Sequence, residues 1–227
     1  MLIAISLLIA LLVMGLGLPA LILARYSRPS LIPVLTGAAL LALTLIIQPP
    51  IQRLPRDVIT GFAGQLPYIL YAALASGFLQ EGLKLMALTR YRDSLKASWL
   101  GYGFGAGEAL LVTLNFVVTA LAGLPYNTVF VIVGAYERFI TTLYHSASAV
   151  ILSSSRWGTL PKYVGLSLIH SLMNFSAGVA IRYFNLFGSA ITMAALYGAL
   201  TAVVLPLLAI SLGVMADWRR AGTSVMG

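Results

Sequence analysis

Apolar residues run in stretches of roughly 20 along the whole chain, at 2–24, 31–48, 65–89, 98–121, 126–152, 162–180 and 187–214. The breaks fall at Arg25–Pro29, Pro49–Arg56, Arg90–Lys96, Gly123–Pro125, Ser153–Pro161 and Arg182–Asn185. Each break holds the proline, glycine or charged residues that loops use and hydrocarbon resists. The pattern predicts an all-α fold, a polytopic transmembrane bundle of about seven helices. Residues 58–64 either begin the third helix early or lie at the membrane interface. Pro67 and Pro206 are expected to bend the third and seventh helices.

Composition narrows this to a single membrane domain over 1–227, with a site-bearing core at about 65–180. The 227 residues are 60% hydrophobic and only 9% charged, against about 25% charged in an ordinary soluble domain. No stretch is polar enough for a separate soluble unit. There is no cysteine, so disulfides, thiolate metal sites and cysteine nucleophiles are excluded. The first 24 residues are apolar without a basic lead, which predicts a first span and not a cleaved signal.

The net charge of +8 is scattered singly through short loops. No basic patch neutralises phosphates, so nucleic acid is not an expected partner. The charges fix topology instead. With the N-terminus outside, the inner segments hold Arg25, Arg28, Arg90, Arg92, Lys96, Arg156, Lys162, Arg219 and Arg220, and the outer ones only Arg53, Arg56 and Arg182. That bias predicts an outside N-terminus, a cytoplasmic C-terminus and a multi-pass protein of the cell membrane. Gly101, Gly103, Gly105 and Gly107 are expected to let helices approach closely, not to form a ligand loop.

Candidate chemistry comes from charges inside the apolar runs. Glu81, Lys84, Glu108, Glu137, Arg138, His145 and His170 all lie within predicted spans. A carboxylate at the bilayer centre costs about 3 kcal/mol on insertion scales, so such groups should face the interior and find partners. Depth tests whether they can meet. Glu81 lies nine residues from Arg90, Glu108 twelve from Lys96, His145 eleven from Arg156 and His170 eight from Lys162. At 1.5 Å per residue these are depths of roughly 14, 18, 16 and 12 Å. Four polar groups on four successive helices thus share one layer in the cytoplasmic half. Glu81 and Lys84, Phe104 and Glu108, His170 and Asn174, and Arg138 and His145 are spaced to share helix faces. Glu137 points about 100° away from Arg138 and is weighed first as a structural charge.

Two imidazoles and a carboxylate suit a divalent metal with an open water position. A glutamate activating water directly needs no metal. Both schemes hydrolyse a bond, most naturally a peptide bond within the membrane. Ser146, Ser148, Ser167, Ser171 and Ser176 lie near the histidines, but none has an obvious acid to complete a triad. Proton-coupled transport is a third class, since intramembrane Glu and His also build relays.

The motifs resemble a family. Gln80-Glu81-Gly82-Leu83-Lys84 is similar to the Glu-Glu-x-x-Lys/Arg motif of the PrsW and YhfC membrane peptidases, relatives of the CAAX-processing endopeptidases. Phe104 to Glu108 resembles their Phe-x-x-x-Glu, Glu137-Arg138 followed by His145 their third motif, and His170 to Asn174 their His-x-x-x-Asn/Asp. The resemblance covers about residues 77–178. It implies an intramembrane endopeptidase acting on a membrane-protein or peptide substrate amid membrane lipids, with its site open to the cytoplasmic side. The expected roles are Glu81 as base, Lys84 as its counter-ion or an oxyanion donor, and Asn174 as the group orienting His170 or binding the substrate carbonyl. Glu108, His145 and His170 would hold zinc or another divalent metal, or water alone. The family's first glutamate is Gln80 here, which cannot accept a proton. Either Glu81 supplies the base, or the chain is a scaffold like the anterior-pharynx-defective subunit of gamma-secretase, which resembles the same superfamily.

Overall fold

The computed structural model describes residues 2–91, 93–125, 127–184 and 189–224. Arg92, Asn185 and the first residues of the seventh apolar run lie outside them. The described residues are helical throughout, with no strand among them. Helix α1 (Leu2–Leu12) passes through a π-helical turn (Val13–Gly17) into α2 (Leu18–Ala24). Then follow α3 (Leu31–Arg53), α4 (Arg56–Ala63), α5 (Gln65–Leu88), α6 (Ser94–Leu121), α7 (Thr128–Ser153), α8 (Thr159–Tyr183) and α9 (Ala190–Ser224).

Five of these segments are long and apolar enough to cross a membrane: Ile3–Ala24, Leu31–Arg53, Ser94–Leu121, Thr159–Tyr183 and Ile191–Arg220. Helices α5 and α7, of 24 and 26 residues, are as long but less apolar, because they carry most of the costly side chains. The packing explains how α7 tolerates this. Every residue from Thr142 to Leu152 is buried, so that half of α7 meets protein on all sides and is not selected for contact with lipid.

Several boundaries differ from the sequence pattern. Helix α3 continues through Pro49 and Pro50 to Arg53, because the two prolines deprive only the carbonyls of Leu45 and Ile46 of their donors. Residues 56–63 form a separate helix with no buried residue. Gly64, at φ +84°, then turns the chain into α5 through a conformation that glycine adopts without strain. Pro67 lies in the first turn of α5, where a missing N–H costs nothing, so no bend is needed there. Asp93 caps α6 by accepting from the Leu95 amide at 2.8 Å, which starts that helix at Ser94.

Helix α6 is wedged between α3 and α7, and its glycines make this possible on two faces. A Cβ on Gly101 would meet the backbone of His145, and one on Gly105 would lie 2.6 Å from Thr142 Cα, both on α7. A Cβ on Gly103 would meet the backbone of Val34, and one on Gly107 would lie 2.6 Å from Leu41, both on α3. Each pair is spaced i, i+4, so alternate glycines serve opposite neighbours. The π turn is also tied down: the carbonyls of Gly15 and Leu16 accept from Thr142 Oγ1 at 3.2 Å and from Tyr102 OH at 3.2 Å.

Candidate functional site

Helices α5, α7 and α8 approach closely enough for short side chains to meet. At Gly77 of α5 a Cβ would collide with Ser167 and Ser171 of α8. One turn along α5, Glu81 and Lys84 project from one face into this contact and are wholly inaccessible, at 0% exposure each.

The Lys84 ammonium has three protons and three partners. Nζ donates to Glu81 Oε1 at 2.7 Å and to Ser148 Oγ at 2.6 Å, and lies 3.2 Å from His145 Nδ1. Since an ammonium only donates, His145 Nδ1 is the acceptor and the neutral ring carries its proton on Nε2. That Nε2 lies 3.4 Å from Glu108 Oε2. Arg138 Nη1 donates to the same oxygen at 3.0 Å, and its Nη2 donates to Glu137. On the other side, Glu81 Oε1 has Tyr144 OH at 3.1 Å and His170 Nδ1 at 3.0 Å. The ionised carboxylate only accepts, so His170 donates from Nδ1. Glu81 Oε2 is buried without a partner among the described residues.

The four groups predicted to share a depth therefore meet. His170, Glu81, Lys84, His145, Glu108, Arg138 and Glu137 form one chain of contacts across α5, α6, α7 and α8. Phe104 packs its ring 4.7 Å from that of His145 and shields it. Tyr144 and Ser148 complete the cluster. Sequence reading missed Tyr144 altogether and considered Ser148 only as a nucleophile. Spacing held a clue: Tyr144 precedes His145, and Ser148 lies four residues after Tyr144 on the same helix. Ser148 is no nucleophile here, since its hydroxyl donates to the His145 carbonyl at 3.1 Å and is fully buried.

Two expected roles do not fit this geometry. Asn174 does not orient His170. Its Nδ2 donates to Ser76 Oγ at 3.0 Å, and Glu81 fixes the His170 ring. Glu108, His145 and His170 do not converge as a ligand set either. No group of three or more His, Asp or Glu side chains among the described residues is placed to hold a metal ion. Glu108 and His145 face each other, while His170 is turned to Glu81. The cation seated between carboxylate and imidazole is Lys84 itself.

Two clefts border the cluster and share Gln48 and Gln80. One, of about 270 Å³, is lined by Gln48, Gln80, Glu108 and Arg138 with Thr44 and Leu45. The other, of about 370 Å³, is lined by Gln48, Gln52, Ser76, Gln80 and Asn174. Neither is lined by Glu81, His145 or His170. A larger cavity of about 1080 Å³ lies between α6 and α7 toward Pro125 and is lined by no ionisable group among the described residues, so volume does not mark the chemistry here. Glu108 is the carboxylate of the central layer that reaches a cleft, at 19% side-chain exposure.

No protein-family model, curated protein or solved structure matches this chain. Function rests on the chemistry of the cluster and its clefts. Glu108 holds one carboxylate oxygen fixed by Arg138 and His145, while Oε1 makes no hydrogen bond within the described residues. Glu81 is locked away with Lys84. The cluster can therefore present one base to a cleft while keeping a second ion pair behind it as support.

Proposed function

We propose that the chain is an intramembrane endopeptidase that hydrolyses a peptide bond with water activated by Glu108. The observation that carries this reading is the asymmetry of the Glu108 carboxylate, one oxygen anchored and the other open in a cleft. In this reading α5 and α7 cross the cell membrane with the five more apolar helices. The charge bias then sets the N-terminus outside, the C-terminus inside and the site in the cytoplasmic half.

Glu108 Oε1 takes a proton from water as the water oxygen bonds to the substrate carbonyl carbon. The same proton passes to the departing amine as the C–N bond breaks, so the net change is addition of one water. Arg138 lines the same cleft and offsets the negative charge that develops. His145 holds Glu108 through Nε2, and Lys84 fixes the His145 tautomer. Glu81 holds Lys84 and His170 in place, a supporting role instead of the base expected from the motif. No step passes through a metal, because the donor set does not converge.

Purified protein in liposomes, given a membrane-spanning peptide with a central helix break, tests this. Glu108→Gln should lower cleavage by about 100-fold or more with little change in thermal stability. Cleavage that survives this substitution would refute the assignment.

One observation favours a second reading, a non-catalytic scaffold subunit. The fully buried Glu81–Lys84 pair, with all three ammonium protons placed, is what a structural ion pair looks like. A scaffold would co-purify with another chain and cleave nothing alone. Proton transport draws less support, because the Arg138 guanidinium stands between Glu108 and Glu137 and does not release a proton.

A further inference from the structure

The two clefts share a pair of side-chain amides, Gln48 and Gln80, in their linings. Gln80 Nε2 donates to Gln48 Oε1 at 3.0 Å and to Ser76 Oγ at 3.1 Å. Both partners sit on the same end of the Gln80 amide, and its other end, Oε1, is buried with no partner among the described residues. Turning the amide over would not help, since one terminal atom is left over in either orientation. Gln80 is 6% exposed. A buried polar atom left unpaired costs about 1–3 kcal/mol, so one that persists in a native site calls for an explanation.

The seam in which Gln80 sits is unusual for this bundle. Its buried apolar clusters draw on α1, α2 and α5 to α9, while α3 adds only Val34 and Leu40 as partly buried members. Toward its C-terminal end, α3 instead meets α5 through hydrogen bonds. Besides the Gln48–Gln80 pair, Gln52 Nε2 donates to the Ala72 carbonyl at 2.8 Å and Tyr71 OH donates to the Ile51 carbonyl at 2.9 Å. An apolar seam would have to be torn open to admit a ligand. A seam of amides can trade one set of hydrogen bonds for another.

We propose that the Gln48–Gln80 seam is the subsite that binds the main chain of the substrate, an unwound stretch of a membrane-embedded polypeptide entering between α3 and α5. This rests on the endopeptidase reading and names how its substrate is held. A side-chain amide offers one acceptor and one N–H donor group, the same pair that a peptide unit offers. Gln52 already treats main chain this way when it binds the Ala72 carbonyl. Further acceptance comes from α3 itself: Pro49 has no N–H for the Leu45 carbonyl, and Leu45 lines the smaller cleft while remaining half exposed on the outside of the bundle. An intact helix has no spare main-chain groups in its middle, so the seam selects a segment that is locally unwound. A strand laid along the seam joins the two clefts, with Glu108 and Arg138 at one end and Ser76 and Asn174 at the other. That places a peptide carbonyl beside the base and leaves Asn174 to hold the chain farther along.

The test uses the hydrolysis-dead Glu108→Gln protein in nanodiscs and a fluorescent Leu/Ala membrane-spanning peptide with a central Gly-Gly-Pro break. Gln80→Leu and Gln48→Leu, each added to that protein, should raise the dissociation constant about tenfold or more. N-methylating the peptide's central amides should weaken binding to the parent protein similarly and make it insensitive to Gln48→Leu. The methylated peptide keeps the test decisive even if a Gln variant folds poorly. Equal binding by the variants, equal binding of the methylated peptide, or no binding at all would overturn the subsite. Cleavage of the same peptide by the unmutated protein is measured in parallel. Cleavage without amide-dependent binding sinks the subsite alone, and amide-dependent binding without cleavage supports the subsite and sinks the hydrolytic reading.

Discussion

Replacing Lys84 by Met keeps the length of the side chain and removes its charge, and the structure sets the size of the effect. Three polar partners lose their donor at once: Glu81 Oε1, His145 Nδ1 and Ser148 Oγ. Glu81 keeps Tyr144 and His170 but stands as a charge without a cation, at 0% exposure. Breaking a buried ion pair by removing one partner costs about 3–5 kcal/mol. For a chain of this length that corresponds to a fall in Tm of about 10 °C. Glu81→Gln should cost a similar amount, since it strands the ammonium. The double variant removes both charges, and its loss should fall short of the sum of the single losses by about 2 kcal/mol. The glutamine still offers His170 an acceptor oxygen, but His145 Nδ1 and Ser148 Oγ have lost the Lys84 donor, so the double variant should not regain full stability.

Equilibrium unfolding in mixed micelles, run as a double-mutant cycle, measures these quantities. Additive losses, or a Lys84→Met cost below about 1 kcal/mol, would refute the reasoning. A weak cost would mean that water reaches the pair and screens it. The cycle also bears on function, because a supporting Glu81 predicts that activity and stability fall together in Glu81→Gln. A base at that position would predict that the Glu81→Gln protein is inactive even well below its lowered Tm, where it is fully folded.

Two further outcomes follow from the packing and the donor set. Gly101→Ala would drive a methyl into the backbone of His145 and should cost about 1–3 kcal/mol, whereas Gly134→Ala, with open space around it, should cost little; thermal denaturation of the two variants separates them. Dialysis against a strong chelator should leave cleavage unchanged and elemental analysis should find no stoichiometric metal, so loss of cleavage with zinc-dependent recovery would reverse the choice between the two hydrolytic schemes.

Much of the site was legible because the membrane makes polar residues conspicuous. Glu81, Glu108, His145 and His170 stand out against runs of Leu, Ile and Ala, and helical rise alone placed them at one depth. The shared layer needed no knowledge of which helices touch. Partner choice was not legible. Helical spacing put His170 and Asn174 on one face, but whether Asn174 reaches His170 or Ser76 depends on how closely α5 approaches α8, and Gly77 sets that. Tyr144 looked like an ordinary aromatic in an apolar run, and its hydroxyl matters only because α7 is buried all round at that point. The helix ends were misjudged at Pro49, where proline costs two hydrogen bonds without ending a helix. The seam of amides was hidden for a similar reason: Gln48 read as the last residue before a loop and not as a residue inside a helix facing α5.

The glutamine at position 80, set against the glutamate of the family that the motifs resemble, now has a physical account. Each carboxylate in the chain of contacts is placed beside a cation. Glu81 has Lys84, and Glu108 and Glu137 share Arg138. Among the described residues Gln80 has Gln48 and Ser76 as its hydrogen-bond partners, and neither can balance a charge. A carboxylate there would be buried unpaired, at a cost of a few kcal/mol. Gln80→Glu should therefore lower thermal stability, and by clearly more than Gln80→Leu, which removes the polar atoms altogether. The comparison also tests the base assigned to Glu108. A Gln80→Glu protein that kept its stability and cleaved faster than its parent, even with Glu108→Gln in the same chain, would show that the position next to Glu81 is the seat of the chemistry. A less stable protein whose residual cleavage still depends on Glu108 would show that the amide serves to hold the substrate and the carboxylate across the cleft does the work.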